Sequence, residues 1–171
     1  MFRNLRVKNF RAITNLSVDG LSRVNLFVGH NACGKTTLLE GVFFLMGATN
    51  PKLPANLMGG GIMKLLNTAL AMLNMQDGFV LLDEIENGLD YSSQRKLWDA
   101  IFSWAQRLNV QVFASTHSME CIKAFSDCAE AGLFGMEAKR FRIERTGDKF
   151  RTVEYTRELL AESLDSSWEV R

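Results

Sequence analysis

Gly29, Gly34, Lys35 and Thr36 stand in the spacing G-x4-G-K-T within the run Gly29-His30-Asn31-Ala32-Cys33-Gly34-Lys35-Thr36-Thr37. That is the spacing of a loop that wraps the phosphates of a nucleotide. Glycines let such a backbone curl so that the N–H groups of Asn31, Ala32, Cys33, Gly34, Thr36 and Thr37 can turn inward, and a helix N-terminus behind the loop adds its dipole. Lys35 would reach the β- and γ-phosphates, and the Thr36 hydroxyl would ligate Mg²⁺. A second acidic signal is Asp83-Glu84, which closes the apolar run Gly78-Phe79-Val80-Leu81-Leu82. Asp83 could hold the same ion, directly or through water, and Glu84 could polarise an attacking water as general base. A third is His117, which ends the run Val110-Gln111-Val112-Phe113-Ala114-Ser115 at the same sheet edge, placed for a γ-phosphate contact. Together these residues describe Mg²⁺-dependent hydrolysis of ATP.

The elements that must position them follow from hydrophobic periodicity. Val24-Asn25-Leu26-Phe27-Val28 reads as the strand before the loop, and Leu38 to Leu45 as the helix after it, ending near Gly47. The run 78–82 reads as a strand in the middle of a parallel sheet, covered on both faces. A helix from about Ser92 to Leu108 would place Leu97, Ile101, Trp104 and Leu108 on its packed face. A second helix over Ile62 to Met75 has its polar residues Lys64, Asn67, Thr68 and Asn74 along one stripe, so its apolar remainder means either deep burial or a partner surface, burial being the commoner explanation. Before the phosphate loop, Leu5 to Phe10 alternates apolar and basic residues, and with a short strand near Leu16 to Val18 it predicts an antiparallel flank. Arg140 to Glu144 and Phe150 to Tyr155, joined across Thr146-Gly147-Asp148, predict a hairpin. A terminal helix is expected over Thr156 to Leu164. The fold class is therefore α/β: one P-loop domain over residues 1–171, with a mainly parallel sheet, flanking helices and an antiparallel N-terminal β flank.

Composition excludes several alternatives. With 171 residues, 47% hydrophobic and 23% charged, the chain is of single-domain size. No run approaches the roughly 18 apolar residues needed to span a bilayer, and the first residues lack a signal peptide's apolar core, so a cytoplasmic location and no membrane partner are expected. The net charge of +1 neither favours nor excludes nucleic acid. Residues 1–24 nevertheless carry Arg3, Arg6, Lys8, Arg11 and Arg23 against Asp19 alone. Cys33, Cys121 and Cys128 form no C-x-x-C and have only His30 and His117 for company, which is no metal-ligand spacing. Cys121 and Cys128 read as buried thiols. Cys33 sits at a helix N-terminus, which lowers a thiol's pKa and offers it as a regulatory thiol.

The order of these motifs resembles an ABC-type ATPase head, most of all the RecF, SMC and OLD-nuclease branch. Val7-Lys8-Asn9-Phe10-Arg11, Val24 to Asn31 and Leu82-Asp83-Glu84-Ile85-Glu86-Asn87-Gly88 are similar to the OLD-type pattern. The resemblance implies that 29–37 is the Walker A loop, 79–84 Walker B, 58–64 a signature loop with Gly59, Gly60 and Gly61 acting in trans, 87–90 a D-loop with Asn87 and Asp90, and His117 the switch histidine. It further implies a homodimer that sandwiches ATP, possible DNA binding or a separate nuclease or effector chain, and a role in DNA maintenance or phage defence. Only 22 residues separate Thr36 from Gly59, where these families insert an arm and a Q-loop glutamine, and no Gln lies between Thr37 and Met58. The Toprim nuclease domain that follows the ATPase in OLD proteins finds no room after residue 171, so a nuclease is expected on another chain. Two rival readings remain: a nucleotide-sensing module with little turnover, and adenylate-kinase-like phosphotransfer, which does not explain the signature glycines or His117.

Overall fold

The computed structural model describes residues 1–47, 61–131 and 138–155. The expected signature residues Gly59 and Gly60, and the expected helix 156–164, lie outside them; of the signature stretch only 61–64 is described, as helix. The chain runs β1 (Asn4–Phe10), β2 (Ile13–Asp19), β3 (Val24–Val28), α1 (Lys35–Gly47), α2 (Gly61–Asn74), β4 (Phe79–Leu82), α3 (Tyr91–Arg107), β5 (Gln111–Ser115), α4 (Met119–Glu130), β6 (Ala138–Thr146) and β7 (Lys149–Glu154).

Five strands form one sheet in the order β4-β5-β3-β6-β7, and β1-β2 form a separate antiparallel pair. β3 pairs in parallel with β5 on one side and β6 on the other, so Val24 lies between Val112 and Ala138. β4 extends the parallel set beyond β5, and β7 closes the opposite edge antiparallel to β6. The predicted C-terminal hairpin is present, but β6 is part of the main sheet. Its short connection signalled the turn and could not signal the parallel partner on its other side.

Strand alternation splits the core into two layers. Val24, Leu26 and Val28 face one cluster with Val112, Ala114, Trp98, Ile101, Phe102, Ile122 and Phe125. Phe27 faces the other, with Phe113, Phe141, Ile143 and the apolar residues of β1, β2 and α1. There the Phe27 ring stacks between Phe113 at 6.5 Å and Phe141 at 5.6 Å. Every residue of β3 and of β5 is buried, as expected of central strands covered on both faces.

β4 departs from expectation: only Val80 is buried and its other residues are half-buried, because it is an edge strand among the described residues. An apolar run reads the same at the edge and at the centre. In α3 the buried set is Gln94, Leu97, Trp98, Ile101, Phe102 and Ala105, while Trp104 and Leu108 are only half-buried. Two aromatic rings, Trp98 against Phe125 at 4.8 Å and Phe102 against Phe125 at 5.4 Å, turn the helix toward α4. α2 is also rotated from the predicted face. Thr68 and Met72 point inward, whereas Leu66, Leu70 and Leu73 are exposed. Both faces of α2 are apolar enough to pack, and only one meets α3.

Two buried amides fasten the base of the sheet. Gln111 donates from Nε2 to Phe2 O (2.9 Å) and Ser22 O (2.7 Å), and its Oε1 accepts from Phe2 N–H at 2.8 Å. Asn25 accepts from Ser22 N–H and donates back to Ser22 O, each at 2.8 Å. At the other end of the flank, Thr152 donates to Ser17 O at 2.5 Å, tying β7 to β2.

Candidate active site

The C-terminal ends of β3, β4 and β5 converge on one sheet edge, the place where open parallel sheets bind ligands. Each strand contributes one of the predicted groups. From β3 the chain enters the loop at Gly29, whose φ is +149°. A Cβ there would stand 2.6 Å from Ile143 O and 2.7 Å from Cys33 Sγ, so β6 closes over the first turn and only glycine fits. Ala32 takes φ 61° and Gly34 φ 104°, which curl the loop before α1 begins at Lys35. His30, Asn31 and Ala32 are exposed, as is Thr36, and Thr37 is half-buried. The Lys35 side chain is buried and folds back across the loop, where Nζ donates to Gly29 O at 2.7 Å and His30 O at 2.9 Å. Two of its three N–H donors are thus spent on holding the loop's shape, and a third is left for an anion.

Cys33 behaves differently from the sequence expectation. It is 5% exposed, and burial pushes its thiol up from the ordinary value, outweighing the nearby Lys35 charge and the hydrogen bonds at the helix start. A buried thiol held protonated is a packing group, so the regulatory reading of Cys33 fails. Cys121 and Cys128 are buried and free, as predicted.

The acidic pair lies one strand beyond β5, and a residue given no role in the sequence reading joins the two elements. Ser115, the last residue of β5, donates its hydroxyl to Asp83 Oδ1 and accepts the Glu84 backbone N–H at 3.0 Å. Asp83 is half-buried and Glu84 exposed, the latter in a left-handed conformation with φ 46°. That conformation, uncommon for a residue with a long side chain, is fixed on both sides: Ile85 N–H donates to Ser115 O at 3.1 Å, and Asn87 N–H to Glu84 O at 3.1 Å. Asn87 Nδ2 also donates to Glu84 Oε2 at 2.6 Å, so a predicted D-loop residue grips the predicted base. The signal for Ser115 was positional: a hydroxyl residue two places before His117 at the end of a buried strand.

Asp90, the other D-loop candidate, caps α3. Its carboxylate accepts Ser93 N–H at 3.1 Å and the hydroxyls of Ser92 and Ser93 at 2.7 Å each. Those hydrogen bonds, the Ser92 hydroxyl first, hold its carboxyl well below the usual aspartate range. His117 follows β5 by two residues and is half-buried; its backbone N–H donates to Glu86 Oε1 at 3.0 Å. The structure thus brings Lys35, Asp83, Glu84, Asn87 and His117 to one sheet edge.

The basic N-terminal edge shrinks in the structure. Arg11 pairs with Glu40 on α1 at 2.6 Å, and Arg23 donates to Ala105 O at 3.3 Å and Asn109 Oδ1 at 3.0 Å. Arg3, Arg6 and Lys8 remain exposed. Among the described residues no helix is long and apolar enough to cross a membrane.

Comparison with known proteins matches this architecture. A family model described as an AAA domain matches residues 4–163. The SMC head domain from Thermotoga maritima has a TM-score of 0.59 at 11% identity, covering 90% of this chain and 98% of its own. An RNase-L inhibitor has a TM-score of 0.53 at 17% identity, covering 96% of this chain and 42% of its own. These likenesses show the fold, that of an ABC- or SMC-type P-loop head. An ATP/GTP phosphatase of Helicobacter pylori is 38% identical over 47 residues, which are 28% of this chain and 13% of that protein. The DNA replication and repair protein RecF of Lactobacillus acidophilus is 52% identical over 42 residues, 25% of this chain and 11% of that protein. The chain therefore matches a small fraction of the length of these curated relatives.

Proposed function

Because the chain belongs to the AAA domain family and has the fold of an SMC- or ABC-type head, we propose that it binds ATP with Mg²⁺ and hydrolyses it to ADP and phosphate. The observation that carries the reading is the junction of β4 and β5, where Ser115 holds both Asp83 and the Glu84 backbone beside the strand that feeds the phosphate loop. Lys35 and the N–H groups of 31–37 bind and orient the phosphates. Glu84, steadied by Asn87, takes the proton of the attacking water, and His117 contacts the γ-phosphate. The donor set fits Mg²⁺, which takes oxygen ligands: the exposed Thr36 hydroxyl at the start of α1 and the Asp83 carboxylate at the end of β4 would hold the ion together with the substrate's own phosphates. When bound, that ion neutralises charge developing on the transferred phosphoryl group.

Lys35→Ala is expected to abolish nucleotide binding, whereas Glu84→Gln keeps binding and loses turnover by about 10² to 10⁴-fold, the usual worth of a general base. A phosphate-release assay and a fluorescent-nucleotide titration measure the two. Equal hydrolysis by wild type and Glu84→Gln would remove the assignment of Glu84, and binding without hydrolysis by the wild type would favour a nucleotide-sensing module.

The same reading extends to assembly. In an ATP-sandwiched homodimer, Gly59, Gly60 and Gly61, the last of which begins α2, complete the partner's site with backbone N–H groups. Light scattering should then find Glu84→Gln more dimeric in Mg-ATP than in ADP, and Gly61→Arg without that difference while still binding nucleotide. The OLD-type resemblance of the motifs, with RecF among the relatives, supports a setting in DNA maintenance or phage defence, with DNA or a separate effector chain as partner.

A further inference from the structure

Glu86 carries a carboxylate that the hydrolytic machinery described above does not use, and its surroundings are unusual. It is 8% exposed, lies in the turn after β4, and reaches across to the end of β5, where Oε1 accepts the His117 backbone N–H at 3.0 Å. The same oxygen stands 3.0 Å from Nδ1 of the His117 ring. Neither that Nδ1 nor Glu86 Oε2 has a hydrogen-bond partner among the described residues, and both atoms are shielded from solvent. Buried polar atoms left without a partner are costly, and at 3.0 Å the His117 Nδ1 is already within hydrogen-bond distance of Glu86 Oε1.

We propose that Glu86 is a positioning residue that holds the His117 imidazole by an Nδ1–H hydrogen bond, so that Nε2 alone faces the phosphate site. An ionised carboxylate only accepts, so the nitrogen beside it must carry the proton. The tautomer of a histidine is set by the hydrogen bond its other nitrogen makes, and a neutral imidazole in water favours the opposite form, with the proton on Nε2. Glu86 also holds the backbone N–H of His117, so ring and main chain are anchored on one side chain from the neighbouring strand's turn. The assignment rests on and deepens the role given to His117, yet its spectroscopic test needs no nucleotide and stands apart from whether ATP is hydrolysed.

The chain has two histidines, His30 and His117, so the imidazole region of a long-range ¹H–¹⁵N spectrum holds two ring systems, and His30→Asn assigns them. At a pH where both rings are neutral, the wild-type His117 ring should show a protonated Nδ1 and an unprotonated Nε2. Glu86→Ala should move the proton to Nε2 and lower kcat for ATP more than it changes KM. Glu86→Gln, whose amide oxygen still accepts, should keep the wild-type pattern. If Glu86→Ala does not fold, Glu86→Met, similar in length and unable to accept from the ring as a carboxylate does, takes its place. A wild-type ring protonated on Nε2, or the same tautomer in wild type and Glu86→Ala or Glu86→Met, overturns the proposal.

Discussion

The sharpest residue-level demands fall where two strands of the sheet crowd one atom. Gly29→Ala sets a methyl 2.6 Å from Ile143 O at a φ of +149°, and should cost about 1–3 kcal/mol of stability from backbone strain alone, with nucleotide binding lost alongside; thermal melting and the titration above measure both. Ser115→Ala leaves the Asp83 carboxylate and the Glu84 N–H short of a partner, worth about 1–3 kcal/mol, and should lower turnover more than it lowers the melting temperature. Asp90 supplies a pH signature. Its folded carboxyl lies below the ordinary value near about 4, held there by Ser92 and Ser93. Its stabilisation is therefore complete above the unfolded value and drains away as pH falls below it, so acid should narrow the stability gap between wild type and Asp90→Ala, as read by urea melts across that range. At this scale the sequence was most legible where a motif fixes residue type by chemistry, as with Lys35, Asp83 and Glu84. It was blind to Ser115 and Glu86, because their roles arise from segments brought together from 31 and 32 positions apart in the chain.

Elements are held by caps and by the side each helix turns to the sheet. Ser118 caps α4 by accepting Cys121 N–H at 3.3 Å, so Ser118→Ala should cost about 1 kcal/mol, measurable by chemical denaturation. α2 offers a contrast within one helix. Met72→Ala removes a fully buried side chain and should cost about 2–5 kcal/mol, whereas Leu73→Lys, on a position 60% exposed, should stay within about 0.5 kcal/mol of wild type. Periodicity located most of the described helices and strands to within a few residues but misjudged faces. In α2 Thr68 breaks the expected polar stripe at 4% exposed, although Asn74 is exposed as expected, and Leu66 is not buried. In α3, Trp98 and Phe102 displaced Trp104 from the packed side because the ring of Phe125 on α4 is what they meet.

Across the whole molecule, the exposed residues Arg6 and Lys8 of β1 and Lys149 and Arg151 of β7 lie on elements joined through β2. If DNA is bound there, affinity should fall steeply between low and moderate salt, because each phosphate contact releases counterions; fluorescence anisotropy with labelled duplex at two ionic strengths checks it, and no binding at low salt with ATP removes that surface from consideration. The layered α/β plan was legible because βα alternation allows few arrangements, but the position of β4 at the edge and the entry of β6 into the main sheet depend on pairings between distant segments. That separation matters for synthesis. The phosphate-loop strand takes its hydrogen-bonded neighbours from residues 111–115 and 138–146, far along the chain, and the Gly29 turn is closed by the carbonyl of Ile143. A ribosome must deliver more than a hundred residues after Gly29 before that loop has its walls, so through that interval the nascent chain carries a mostly apolar strand unpaired, when early-recruited chaperones and protease have their best access to it.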